Sequence, residues 1–144
     1  MNEFDFSVAR VGVGVSVFKD GTILLGKRHG SHGAGEYACP GGHLDYMESF
    51  EETARRELAE ECGVGITNLT FQFVANIKTY APRHYIHINF RADWESGEPQ
   101  LLAPEESEPW QWYPLDALPE PLFETARLAI QSEKSGARYF DAGA

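Results

Sequence analysis

The sequence predicts an α/β protein of the α+β kind, a mixed β-sheet sandwiched between helices in an α/β/α arrangement. Three observations carry that expectation. Val11, Val13, Val15 and Val17 alternate with small residues, the period of a strand. Residues 49–62 form one strongly patterned helix, with Ser49 at its start and Gly63 at its end. Strand-like segments flank that helix on both sides, and a second helical stretch follows them. At 144 residues, with no repeat, low-complexity tract or linker, residues 1–144 are expected to form a single domain around one core.

Taken in order, the strand over residues 11–18 turns at Lys19-Asp20-Gly21 into a returning strand over 22–26. A glycine-rich loop, KRHGSHGAGEY, follows and leads into Cys39-Pro40-Gly41-Gly42. Its Gly30, Gly33 and Gly35 can form an anion-binding nest or a mobile surface loop. Ser49 with Glu52 three residues on makes a capping box, and Gly63 stops the helix. Residues 69–80 and 85–93 read as paired strands around Ala81-Pro82-Arg83, closed by a turn at 95–99. Residues 108–113 read as a strand despite Pro109, with Trp110 and Trp112 on one packing face, and 122–133 as a terminal helix.

The formal charge of −10 repels a nucleic-acid backbone, whose binding needs clustered Lys and Arg. It also repels a small polyphosphate, unless a divalent cation stands between the two sets of negative charge. No apolar run is long enough for a membrane span. The opening MNEFDFSVARVGVG lacks the basic and apolar regions of a secretory signal. Two cysteines, Cys39 and Cys62, in neither metal nor redox spacing, fit a reducing compartment, so a cytoplasmic location is expected. The five histidines show no ligand spacing for zinc, and His43 can simply shape the turn after Gly42.

The informative stretch is residues 42–64, GHLDYMESFEETARRELAEECGV. At about 100° per residue, Glu57, Glu60 and Glu61 fall within one helical arc, and Phe50, Ala54, Leu58 and Cys62 form the apolar stripe. Glu57 and Glu61 therefore border the face meant for burial. A solvated helix puts its acids on the opposite side. Carboxylates gathered beside a buried face repel one another unless a cation compensates them, and hard oxygen ligands suit Mg²⁺ or Mn²⁺. Arg56 can hold one of them by a charge-assisted hydrogen bond. The alternative is an ordinary charge-rich helix.

The wider spacing bears on that choice. Gly42, five residues, Glu48, seven residues, Arg56-Glu57-Leu58, one residue, Glu60-Glu61, one residue, Gly63-Val64 resembles the Nudix box at every defined position. A chance match per starting point is on the order of 10⁻⁸ for such a composition. The opening hairpin with Leu24 to Arg28, the approach through Cys39-Pro40, and Glu108 to Trp112 followed by Pro114 and Leu118-Pro119 are also similar to the family. Leu24 through Glu61, with GSHGAG in the loop, most resembles its MutT-like purine nucleoside triphosphate diphosphatases of the MutT homologue 2 type.

That resemblance implies the Nudix fold and Mg²⁺-dependent hydrolysis of a nucleoside diphosphate linkage, foremost of a (d)NTP to a (d)NMP and pyrophosphate. Hydrolysis of another nucleotide conjugate, such as a dinucleoside polyphosphate or ADP-ribose, is the alternative. A non-hydrolytic nucleotide-binding module is a third reading. Glu57 and Glu61 are implied as metal ligands, with Glu60 and the Gly41 carbonyl completing the set. Glu61, Glu60 and Arg56 are the implied catalytic group, and Glu105, Glu106 and Glu108 are further candidates for the base. Gly42, Glu48 and Gly63 support the box. Lys27, Arg28, Gly42, His87 and Phe123 are candidates for phosphate or substrate binding, and Tyr80 for a marker of dinucleoside polyphosphate hydrolases or a core or rim role. The implied partner is a small nucleotide, with no nucleic acid and no membrane, in a possible homodimer. Met47 stands where many relatives carry glycine, so a left-handed backbone there would be strained.

Overall fold

In a computed structural model, residues 5–30 and 32–143 are described; Ser31 of the glycine-rich loop and the first four residues lie outside that set. The valine alternation forms β1 (Arg10–Lys19), which buries Val13, Val15 and Val17 on one face. It returns through β2 (Thr22–Lys27), with Asp20 and Gly21 both at positive φ in the turn. The loop then yields two short strands, β3 (Tyr37–Ala38) and β4 (Gly41–His43), and leads to α1 (Phe50–Glu61). Beyond it run β5 (Gly65–Ile77), β6 (Tyr85–Ser96), β7 (Gln111–Pro114), α2 (Glu124–Ser135) and β8 (Tyr139–Ala142).

The strands make one eight-stranded sheet in the order β3-β2-β1-β6-β5-β8, with β4 paired to β1 and β7 to β2. Pairing is parallel between β1 and β6 and between β5 and β8, and antiparallel elsewhere, so the sheet is mixed. One face of β1 packs Val13, Val15 and Val17 against Ala54, Leu58 and Cys62 of the α1 segment. From the other face, Phe18 joins Ile23 and Leu25 of β2 against Ala126 and Ile130 of α2. The helices therefore cover opposite faces, giving the sandwich expected from the sequence. Among the described residues no helix is long and apolar enough to cross a membrane.

Several boundaries move for physical reasons. β5 starts at Gly65 rather than near 69, because three register shifts let it stay paired with β6 through its irregular first half. Glu108 and Pro109 stay outside β7, since proline offers no N–H to the ladder. Phe123, expected inside the last helix, is its extended N-cap, and left-handed Gly136 ends it. Phe50 is a correction: it is 44% exposed, and Thr53 takes the buried position beside Ala54, Leu58 and Cys62.

Candidate active site

The start of α1 is built from its own sequence. Ser49 accepts the backbone N–H of Glu52, and the Glu52 carboxylate accepts that of Ser49. Glu48 ties the preceding loop to the helix, accepting from Arg56 at 2.7 and 3.0 Å and from the Thr53 hydroxyl at 2.7 Å. The Arg56 guanidinium, aided by Thr53, holds the Glu48 carboxyl down at about 2. Arg56 also donates to Glu57 at 2.8 Å and to the His43 carbonyl at 3.2 Å. One guanidinium thus fastens β4, the loop and the helix together.

Glu57 and Glu61, one turn apart, both look across α1 to the glycine pair. The Gly41 N–H donates to Glu61 Oε1 at 2.9 Å. A Cβ on Gly42 would lie 2.4 Å from the Glu57 carboxylate, and one on Gly41 would lie 2.6 Å from the Val13 carbonyl oxygen. Glycine is needed at Gly41 because the β1 backbone comes that close, while at Gly42 the missing side chain leaves room for the Glu57 carboxylate. Burial pushes the Glu61 carboxyl up to about 8, with the charges of Glu57 and Glu106 adding to the effect. Burial also raises Glu57, against the pull of Arg56. Two half-buried carboxylates that resist ionisation suit a hard divalent cation, whose charge would relieve both.

Glu60 stands apart. Its side chain is 58% exposed and lies 3.4 Å from the Arg56 nitrogen that also holds Glu57, and it does not line the cleft. Among the described residues, no three His, Cys, Asp or Glu side chains are already gathered closely enough to hold a metal ion. The carboxylates lining the same space are Glu57 and Glu61, joined by Asp45 from the loop before α1 and by Glu105 and Glu106 from the loop before β7.

These acids line a cleft of about 540 Å³, which also takes in Gly41, Gly42, Arg28, His87 and Phe123. Its far wall is aromatic: Tyr80 stacks on Phe123 at 4.8 Å, and His32 on Tyr85 at 5.3 Å. The Tyr80 hydroxyl donates to Glu36 and accepts from the Glu124 N–H, both at 2.8 Å, which fixes the ring. Arg28 lies 4.3 Å over the Phe123 ring and donates to the His32 carbonyl at 3.1 Å. Its charge is felt by Glu61. Gly33 backs against Phe123, where a Cβ would sit 2.5 Å from the ring. That contact packs the glycine-rich loop onto the cleft wall.

Other sequence candidates fall elsewhere. Lys27 does not line the cleft; it lies 4.0 Å from Glu108 in solvent. Glu108 itself faces Lys27 and His29. Gly63 sits at φ +70 just past the helix, and Met47 takes φ +67, the left-handed conformation. Trp110 and Trp112 pack against the α1-side core, and the Trp110 indole donates to the Glu61 carbonyl at 3.2 Å. His87 is buried, its Nε2 2.9 Å from Asn89 Oδ1, and burial lowers its pKa to about 4. His32, Tyr85 and Asn89 line the cleft without having been singled out in the sequence. The alternation Tyr85, His87, Asn89 along β6 was the available sign, since these residues share a strand face.

Solved structures share this architecture. A MutT NUDIX hydrolase from Burkholderia pseudomallei superposes with a TM-score of 0.81 at 35% identity, covering 86% of this chain and 97% of that one. The sheet sandwich is therefore that of a MutT-like hydrolase. The NUDIX domain matches residues 8–132, and the chain belongs to the Nudix hydrolase family. It is 35% identical over 111 residues to the oxidized purine nucleoside triphosphate hydrolase of Danio rerio, covering 73% of this chain and 66% of that protein. It is 34% identical over 139 residues to an RNA pyrophosphohydrolase of Caulobacter vibrioides, covering 83% and 80%.

Proposed function

We propose that this protein hydrolyses nucleoside triphosphates, (d)NTP plus water giving (d)NMP plus pyrophosphate, with a divalent cation as cofactor. The observation that carries this reading is the cleft itself, which sets paired carboxylates at one end and stacked aromatic rings at the other, with Arg28 between. Glu57, Glu61 and the Gly41 carbonyl would hold Mg²⁺ (or Mn²⁺), with Glu60 reaching it on release from Arg56. Bound there, the ion would neutralise phosphate charge and make coordinated water more acidic.

The protein's own residues do the rest. Glu61 accepts the proton of the attacking water as the new O–P bond forms and the bridging P–O bond breaks. Glu105 and Glu106 border the same space. Arg28 offsets phosphate charge, and Phe123 with Tyr80 stacks against the base. Arg56 and Glu48 hold the loop and helix in register for Glu57. The free thiols of Cys39 and Cys62 fit a reducing, cytoplasmic setting.

The experiment is hydrolysis of a panel of (deoxy)nucleoside triphosphates, oxidised purines included, with Mg²⁺ and with Mn²⁺, identifying the products. Pyrophosphate and monophosphate in equal amounts are expected. Turnover restricted to ADP-ribose, dinucleoside polyphosphates or 5′-triphosphorylated RNA would move the substrate elsewhere within the family. Binding without turnover under either ion would make the protein a nucleotide-binding module.

A further inference from the structure

Behind the cleft, a chain of hydrogen bonds runs from α2 through the sheet to His87, and its direction is fixed at the protein end. Gln72 Nε2 donates to the Ala129 carbonyl at 3.0 Å, and a backbone carbonyl can only accept. The Gln72 Oε1 therefore faces the Ser16 hydroxyl at 2.7 Å and Asn89 Nδ2 at 2.8 Å. Asn89 Nδ2 also donates to the Phe90 carbonyl at 3.1 Å, which pins the second amide independently. Asn89 Oδ1 is thus left facing His87 Nε2 at 2.9 Å. That nitrogen must carry the imidazole hydrogen, and Nδ1 is left with a lone pair.

The fold is shaped around this chain. Ser16, Gln72, Asn89 and His87 are 0%, 5%, 1% and 8% exposed. A register shift between Phe71 and Phe73 lets Gln72 reach α2 beside Phe73, although successive residues of a regular strand face opposite ways. Gly14, paired with Asn89 across the ladder, leaves room for the couple, since a Cβ there would lie 2.9 Å from both Asn89 Oδ1 and His87 Cε1. No donor among the described residues meets His87 Nδ1, and the ring lines the cleft.

We propose that His87 is a specificity-determining residue, a fixed hydrogen-bond acceptor that selects nucleobases presenting an exocyclic amino N–H to this wall. Asn89 and Gln72 are positioning residues that set its tautomer. The inference rests on the reading that the cleft takes a nucleotide. A base without the donor leaves the buried acceptor unpaired, and sites built to hydrogen-bond a substrate group discriminate strongly against its absence.

Two measurements test it. In protein labelled with ¹⁵N in its histidines, NMR is expected to show His87 protonated on Nε2 and bare on Nδ1; a proton on Nδ1 overturns the proposal. Paired substrates differing by one donor, ATP against purine riboside triphosphate and GTP against ITP, should differ in kcat/KM by about tenfold or more for at least one pair. Turnover within about twofold for both pairs overturns it while the hydrolase reading stands. Asn89→Asp supplies a carboxylate that favours a second hydrogen on the ring, so the preference should shrink or invert. Gly12→Ala places its Cβ in ordinary contact, 3.7 Å from His87 Nδ1, and should raise KM for the preferred base with little change in kcat. Should no triphosphate be hydrolysed, the functional reading falls, and the same pairs compared by dissociation constant decide the acceptor.

Discussion

Gly41 and Gly42 bring backbone against two different neighbours, and the consequences of filling each space differ. At Gly41 a methyl meets the Val13 carbonyl and the Gly14 Cα, neither of which can step aside. At Gly42 it meets only the far end of the Glu57 side chain, which can rotate away. Gly42→Ala should therefore leave the circular dichroism spectrum intact and lower kcat/KM by about 100-fold, as displacement of a metal-orienting group does. Unchanged activity would remove Glu57 from the chemistry. Glu61 shows the opposite balance between stability and function. Its carboxylate is half-buried with one backbone N–H as partner, and Gln at that position keeps the acceptor without the charge. Glu61→Gln should abolish turnover yet raise the melting temperature in EDTA at pH 8, by about 4 °C for each kcal/mol relieved. Loss of both would mean the charge has a partner that holds the fold. Met47 is a smaller case. At φ +67 it carries the strain of a left-handed residue, so Met47→Gly should stabilise by roughly 1 kcal/mol in urea titrations.

At the scale of elements, α1 was the most readable part of the sequence because its instructions are local. The capping residues, the stop at Gly63 and the box spacing all lie within one segment, and Ser49 and Glu52 are each other's partners a turn apart. β3, β4 and β8 were not readable, since two to four residues carry no period and exist as strands only because a neighbour pairs with them. The cleft was half-readable for the same reason. Glu57 and Glu61 sit on one helix, but the aromatic wall gathers His32, Tyr80, Tyr85 and Phe123 from separate parts of the chain. Phe50 was misplaced because hydrophobicity alone ranks it above Thr53, which is buried with its hydroxyl donating to Glu48. Glu48 gives the element its test. Arg56 lowers its carboxyl to about 2 from an ordinary 4.5, so its tie stabilises the fold above pH 4.5 and is lost as pH falls towards 2. Glu48→Gln should weaken the fold at neutral pH and flatten acid unfolding across that window, as followed by tryptophan fluorescence. An unaltered acid transition would show that the loop needs no such tie.

Over the whole molecule, the buried groups pull stability in opposite directions with pH, and the cation should act on only one of them. His32 and His87 are held neutral by burial, with folded values of about 4 against 6.5 when unfolded. Below pH 6.5 the unfolded chain takes up their protons first, so stability falls as pH drops from 6.5 to 4. Glu61 is raised to about 8, and Glu57 is raised as well. For Glu61 the folded state keeps the proton longer, so stability falls as pH climbs from 4.5 to 8, and Glu57 acts in the same direction. The metal-free protein should therefore be most stable at about pH 6, where neither loss is complete. A divalent cation binding the ionised carboxylates stabilises only the folded form, by about 2.7 kcal/mol at a hundred times its Kd. Melting curves from pH 4 to 9 in EDTA and in Mg²⁺ should then differ on the alkaline limb and coincide on the acid one. Equal shifts at every pH would place the ion away from Glu57 and Glu61, and would take the proposed chemistry with it.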